Sequence, residues 1–195
     1  MTSIAVRPQR FDIVRAGVPT TYKGIIFRSR LEARWAVFMD RIQWDWQYEP
    51  IDLSGYIPDF IVHFKRAKLL LEVKPALDYE ELEPAGRKVA LSGWNRDYLV
   101  VGSRPFALAG DPLHRSFGRL YLWDRESDDG WQPADHAMAV RCDGCRLTSM
   151  RHASAEWFCV ACGTREPREY LTDVHHDEID DLWADAGNEI QWHKP

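Results

Sequence analysis

The chain has 195 residues and is 45% apolar, which is typical of a globular protein with one sizeable core. No run of about 18 apolar residues exists and the N-terminus lacks the apolar stretch of a signal peptide, so we expect a cytoplasmic protein with no membrane partner. The net charge is −5, but residues 1–74 hold twelve basic and eight acidic residues, whereas residues 166–195 hold two basic and nine acidic ones.

The first helix is predicted to begin at Ser29, after a loop or a short strand at residues 11–14. The apolar residues that recur at helical spacing behind Ser29 are Leu31, Trp35, Phe38, Met39 and Ile42. Glu32 has two open interpretations. It completes a capping box by accepting a hydrogen bond from the Ser29 backbone N–H, or it contributes a negative charge to an active site.

Two apolar runs within residues 57–73 predict a β-hairpin. We expect Phe64 to pair with Leu69, a register that places Asp59 opposite Lys74. Side chains alternate along a strand, so one face of the hairpin is wholly apolar and the other is mainly polar. The side chains predicted to share the polar face are Asp59, Ile61, Glu72 and Lys74.

The polar face suits phosphodiester hydrolysis. Mg²⁺ prefers oxygen ligands and usually takes one or two carboxylates, which Asp59 and Glu72 would supply. Lys74 would neutralise charge that develops on the phosphate or hold the attacking water. The alternative is structural, because Pro-Asp is a common turn pair and Glu-x-Lys is common on a solvated strand.

These residues resemble a family signature. Pro58-Asp59, twelve residues and then Glu72–Lys74 resembles the motif of the PD-(D/E)XK nuclease superfamily. The segment FRSRLEARWAVFMDRI, with Glu32, resembles the first helix of that superfamily. The resemblance covers about residues 20–105 and implies an α/β fold, in which helices flank a mixed central sheet like that of restriction endonucleases.

The same resemblance implies a metal-dependent DNA endonuclease. In it Asp59 and Glu72 bind Mg²⁺, or Mn²⁺ in vitro, with the Val73 carbonyl nearby, and Lys74 and Glu32 are further catalytic residues. Because cutting a duplex usually needs two active sites, it also implies a homodimer or a partner nuclease.

Beyond the hairpin, residues 78–92 predict a helix and residues 97–102 a buried strand. Since a helix connects the two strands, we expect them to be parallel neighbours. Proline and glycine punctuate residues 104–119, which we interpret as a loop.

All four cysteines form two matched pairs, Cys142-x-x-Cys145 and, thirteen residues later, Cys159-x-x-Cys162. Four thiolates in this pattern predict a closed, structural Zn²⁺ site, with Gly144 and Gly163 permitting tight backbone turns around the metal. Basic and aromatic residues on this ribbon, Trp157 among them, either contact nucleic acid or belong to a purely stabilising module. The residues expected to bind nucleic acid are Arg28, Arg30, Arg87, Lys88, Arg146 and Arg151.

The pattern predicts three parts: a nuclease-like core (1–139), a zinc ribbon (140–165) and an acidic tail with an amphipathic helix (166–195). Two further functions are open besides a DNA endonuclease. One is a non-cleaving nucleic-acid-binding module, and the other is a regulatory protein whose acidic tail contacts a basic partner.

Overall fold

The structure is a computed structural model that describes residues 17–53, 55–127, 130–154, 158–165 and 170–191. Residues 11–14, predicted to be a loop or a short strand, lie outside these ranges. In chain order the elements are β1 (Thr20–Tyr22), β2 (Ile25–Phe27), α1 (Arg30–Arg41), β3 (Asp45–Tyr48), β4 (Phe60–His63), β5 (Lys68–Val73), a 3-10 turn (Tyr79–Leu82), α2 (Glu83–Ala90), β6 (Tyr98–Leu108), β7 (Asp111–Tyr121), β8 (Asp135–Cys142), β9 (Thr148–His152), β10 (Leu171–Asp173) and α3 (His176–Glu189).

The central sheet has eight strands in the order β10-β8-β7-β6-β5-β4-β3, with β9 paired to β8. β5 and β6 run parallel, as predicted, and the other paired strands run antiparallel. Side chains of α1 and α3 pack against one face of the sheet, and those of α2 pack against the other. The predicted α/β class, a mixed sheet flanked by helices, is therefore confirmed.

Helix α1 begins where the sequence predicted, because the Ser29 hydroxyl accepts the Glu32 backbone N–H at 3.1 Å. Its apolar stripe is buried, with Trp35 and Phe38 almost fully inaccessible. The Trp35 ring packs 4.7 Å from the Trp183 ring of α3, so the C-terminal helix is part of the core.

The hairpin of β4 and β5 forms, but the predicted register is wrong by two residues. Phe60 pairs with Leu71, and the turn 64–67 is closed by a hydrogen bond of 2.8 Å from its first N–H to its last carbonyl. A slip by an even number of residues leaves every side chain on its predicted face. Extending this register brings Asp59 level with Glu72.

The prediction of a loop at residues 104–119 is wrong, because most of this segment belongs to the long hairpin of β6 and β7. Gly110 turns the chain with φ +81°, and a register shift within β6 accommodates Pro105. A Cβ at Gly118 would lie 2.1 Å from a carbonyl oxygen of β6. Position 118 is a glycine because the two strands approach each other closely there, and not because the chain forms a loop.

The part of the chain that carries Cys142, Cys145, Cys159 and Cys162, which we call the cysteine segment, continues the central sheet. β8 spans the predicted boundary between residues 139 and 140 and pairs with β7, β9 and β10. The division into residues 1–139, 140–165 and 166–195 stays a prediction.

Candidate functional site

A cleft of about 690 Å³ lies where the start of β4 and the end of β5 meet the N-terminus of α1. All four residues predicted to be catalytic line it, namely Glu32, Asp59, Glu72 and Lys74, and Val73 lies among them. Strand alternation directs the hairpin residues into the cleft, and the cap of α1 brings Glu32 there.

The two hairpin carboxylates are buried and held by short contacts. Asp59 and Glu72 are each 4% exposed. The Val73 N–H donates to Asp59 Oδ2 at 2.7 Å, and the Tyr56 hydroxyl donates to Glu72 Oε2 at 2.6 Å. The Lys74 ammonium forms an ion pair with Glu72 Oε1. Each carboxylate therefore has a fixed position on the wall of the cleft.

Burial, and then the negative charge of Glu72, raise the pKa of Asp59 to about 7. The Val73 N–H and the Lys74 ammonium act in the opposite direction but do not offset this. Two buried carboxylates this close repel each other. An additional cation between them would favour the ionised form of both.

Glu32 is 9% exposed and accepts hydrogen bonds from the Ser29 hydroxyl at 2.7 Å and the Tyr48 hydroxyl at 2.6 Å. The reciprocal arm of a capping box would instead run from the Ser29 backbone N–H to the Glu32 carboxylate. Glu32 thus stabilises the start of α1 and also lines the cleft, so both interpretations of this residue stay open.

Arg28 is more closely tied to the site than the sequence indicated. Its Nη2 lies 2.8 Å from Asp59 Oδ1, and its Nε lies 2.6 Å from Glu49 Oε1. Sequence reasoning missed Tyr48 and Tyr56 as partners of the acidic groups. Both contacts join residues 16 positions apart, and no local pattern marks them.

Only some of the residues predicted to bind nucleic acid lie in the cleft. Arg28, Arg30 and Lys88 line the cleft together with the acidic residues. Arg87 lies outside the cleft lining and pairs with Glu83 at 2.6 Å. The cleft therefore has cations of its own beside the carboxylates.

The cysteine segment holds the other two predicted contacts. Arg146 is exposed, with a left-handed φ of +63°, and lines a small cavity separate from the cleft. Arg151 is only 8% exposed and its Nε lies 3.2 Å from Asp173 Oδ1. The role of Arg151 in binding nucleic acid stays a prediction, and its side chain is largely buried. Trp157 is outside the described residues.

The four cysteine sulfurs converge within 4.8 Å of one another. Cys142 Sγ lies 3.6 Å from Cys162 Sγ, and Cys145 Sγ lies 3.9 Å from Cys159 Sγ. Tetrahedral thiolates at a Zn–S distance of about 2.3 Å are about 3.8 Å apart, so the cluster fits a structural zinc ion. Burial raises the pKa of the Cys145 and Cys159 thiols, a cost that a bound cation would offset.

The two knuckles repeat one backbone turn. The N–H of Arg146 donates to the Cys142 carbonyl, and the N–H of Gly163 donates to the Cys159 carbonyl, both at 2.7 Å. The left-handed positions are these two donors, with φ of +63° and +73°. The prediction that Gly144 and Gly163 lie in tight turns agrees with the structure, although only Gly163 of these two glycines is left-handed. Gly144 is small because a Cβ there would lie 2.4 Å from a threonine hydroxyl.

The acidic C-terminal helix docks on basic residues of its own chain. Arg34 stacks on the Trp183 ring at 4.1 Å and donates to its carbonyl at 2.6 Å. Further ion pairs join α3 to the body of the protein, namely Arg41–Glu189, Arg115–Asp180 and Arg141–Glu178. The predicted amphipathic spacing is confirmed, and these contacts account for part of the acidity of the tail.

His175, His176 and Asp177 form a second group of possible metal ligands at the start of α3. The His175 ring nitrogen accepts the Asp177 N–H at 3.5 Å, so this side chain caps the start of the helix.

Among the described residues, no helix is long and apolar enough to cross a membrane. No family model matches the chain, and neither a curated protein nor a solved structure does. Function is therefore inferred from the residues of the cleft.

Proposed function

We propose that the protein is a metal-dependent endonuclease that hydrolyses DNA phosphodiester bonds in the cleft. The observation that carries this proposal is the convergence of Asp59, Glu72 and Lys74 in one cleft that Glu32 also lines. The set supplies two carboxylates for a cation and an ammonium for the phosphate, in the arrangement that the resemblance to PD-(D/E)XK nucleases implies.

Asp59 and Glu72 would hold Mg²⁺, or Mn²⁺ in vitro, with Val73 beside them. Their donor set fits, because both are buried oxygen ligands. Burial and the negative charge of Glu72 raise the pKa of Asp59 to about 7, a cost that a bound cation would offset. When bound, such an ion activates water and stabilises negative charge on the phosphate.

The remaining residues of the cleft would act on the substrate directly. The Lys74 ammonium neutralises charge as it develops on the phosphate or holds the attacking water. Glu32 offers a carboxylate that accepts a proton. Arg28, Arg30 and Lys88 provide cations for the sugar–phosphate backbone, while the cysteine cluster with its zinc maintains the fold.

A non-cleaving nucleic-acid-binding module is the second candidate. It is favoured by one observation, since Arg28 and Lys74 already form ion pairs with Asp59 and Glu72 without any added cation. In the endonuclease, duplex cutting would require two active sites, so we also propose a homodimer or a partner nuclease that acts in the cytoplasm.

The test is incubation of the purified protein with supercoiled plasmid, branched DNA and RNA, with MgCl2 and without added metal. Omission of magnesium is a better control than a chelator, because a chelator would also remove the zinc. The endonuclease cuts at least one DNA substrate only with magnesium. Binding of DNA without any cutting would instead establish the second candidate.

A further inference from the structure

A second cavity, of about 540 Å³, lies at the end of the sheet opposite to the cleft. Its four cationic residues lie close to this end of the sheet: Arg66 in the β4–β5 turn, Lys68 at the first position of β5, Arg96 in the segment before β6, and Arg125 in the segment after β7. We call these four residues and their surroundings the basic end pocket. The rest of the lining is Ala67, Asn95, Asp97 and Trp123.

The distance from the cleft follows from the strand that joins them. Lys68 is the first residue of β5, and Lys74 immediately follows the last. Six residues of extended chain span about 20 Å. The basic end pocket is therefore separate from the proposed active site and does not share a substrate phosphate with it.

The four cations are exposed and, within the part of the chain that the structure describes, none of them has an acidic partner. Other arginines in the same ranges are paired, for example Arg41 with Glu189 and Arg115 with Asp180. Four cations gathered around the single carboxylate of Asp97 leave an excess of positive charge, so this arrangement favours a bound polyanion.

The carboxylate of the pocket is already engaged. Asp97 Oδ1 accepts the Trp123 backbone N–H at 2.9 Å, and its carbonyl accepts the Trp94 indole N–H at 3.1 Å. These hydrogen bonds fix the segment before β6 against the segment after β7. Arg96 and Arg125 are therefore held on neighbouring, anchored segments.

We propose that the basic end pocket binds the sugar–phosphate backbone of a second nucleic-acid segment, away from the one in the cleft. This inference rests on the proposed function. The pocket spans β5, β6 and β7, about 10 Å at the usual spacing between strands, which matches about three nucleotides of one strand at 3.4 Å each. Guanidinium groups match phosphate geometry, and Asn95 and the half-buried Trp123 offer a hydrogen bond and a stacking surface.

The experiment compares two double variants of the full chain, each of which removes two positive charges. The pocket variant is Arg66→Gln with Arg96→Gln. The control is Lys23→Gln with Arg104→Gln, both of which lie outside the cleft and the pocket. Fluorescence anisotropy with a short labelled DNA duplex, without magnesium, gives the affinity between about 50 and 200 mM salt. Cutting of plasmid with magnesium is measured in parallel.

Each lost phosphate contact lowers the slope of log affinity against log salt by about 0.9, so the pocket variant should have a slope shallower by about 1.8. The difference in affinity between about 50 and 200 mM salt then shrinks about 10-fold relative to wild type. The control should keep the wild-type slope.

Equal slopes for the pocket variant and wild type would overturn the inference and leave the proposed function intact if plasmid is still cut. A shallower slope together with no cutting by any protein would keep the pocket and reject the endonuclease. A labelled polyglutamate peptide is the second probe. Loss of peptide binding without loss of duplex binding in the pocket variant would overturn the inference in favour of an acidic protein partner.

Discussion

Replacing Asp59 by asparagine should stabilise the metal-free protein at pH 8. The Asp59 carboxyl has a pKa raised from 3.8 to about 7 because it is buried beside Glu72. The folded state therefore binds more protons than the unfolded chain between these two values, and the free energy of unfolding falls as pH rises through that window. Asparagine carries no charge and still offers an oxygen to the Val73 N–H, so it removes this loss.

The magnitude follows from the contacts of Asp59. A pKa raised from 3.8 to about 7 corresponds to about 4 kcal/mol of lost stability at pH 8. The substitution also breaks the ion pair with Arg28, whose side chain is 58% exposed, at a cost of about 0–1 kcal/mol. An imperfectly paired amide costs about 1 kcal/mol more. The expected net increase is about 2 kcal/mol, or roughly 4–8 °C in Tm for a chain of this size.

The assay is thermal unfolding at pH 8 and at pH 5, with neither divalent cation nor chelator added. At pH 5 the native carboxyl is already protonated, so the advantage of Asp59→Asn should largely disappear. MgCl2 should raise the Tm of wild type at pH 8 and leave that of Asp59→Asn unchanged. The control is Asp45→Asn, an exposed acid on the neighbouring strand β3. A lower Tm for Asp59→Asn than for wild type at pH 8 would refute the reasoning.

Three further predictions concern Glu32, the cysteine cluster and α3. Glu32→Gln keeps an acceptor for one of its two hydroxyl partners, so its Tm should stay within a few degrees of wild type, yet its cleavage should slow at least ~10-fold; cleavage at the normal rate would leave Glu32 as a helix cap alone. Elemental analysis should find one zinc per chain and Cys159→Ser should lose both the zinc and thermal stability, whereas a metal-free wild type with disulfides would contradict the site. Trp183→Ala should cost about 3–5 kcal/mol in urea unfolding because its ring packs on Trp35; a loss below about 1 kcal/mol would show that α3 is not part of the core.

The residues of the cleft could be predicted because strand alternation survives an error in register. Pairing Phe64 with Leu69 was wrong by two residues, yet Asp59 and Glu72 still share a face, since only an odd slip exchanges the faces. The cap at Ser29 could be predicted for a similar reason, because it depends on residues three positions apart.

Features that depend on distant parts of the chain could not be predicted. The hydrogen bond from Tyr56 to Glu72 and the ion pair of Arg28 with Asp59 arise only when the hairpin meets its neighbours. The long hairpin of β6 and β7 was missed because the sequence alone does not distinguish a glycine in a loop from a glycine where two backbones approach closely, as at Gly118. The burial of Arg151 is likewise a property of the packed module.

Hydrolysis of DNA in the cleft is tested most directly by the rate at which Lys74→Met nicks supercoiled plasmid in MgCl2. Methionine approximates the length of the lysine side chain and removes the charge that pairs with Glu72 in the cleft. The matched control is Lys23→Met, an exposed lysine outside the cleft. We expect Lys74→Met to cut at least ~100-fold more slowly than wild type, the effect of losing one group that stabilises the transition state, and Lys23→Met to cut normally. Cutting by Lys74→Met at the wild-type rate would show that this cleft is not where DNA is hydrolysed.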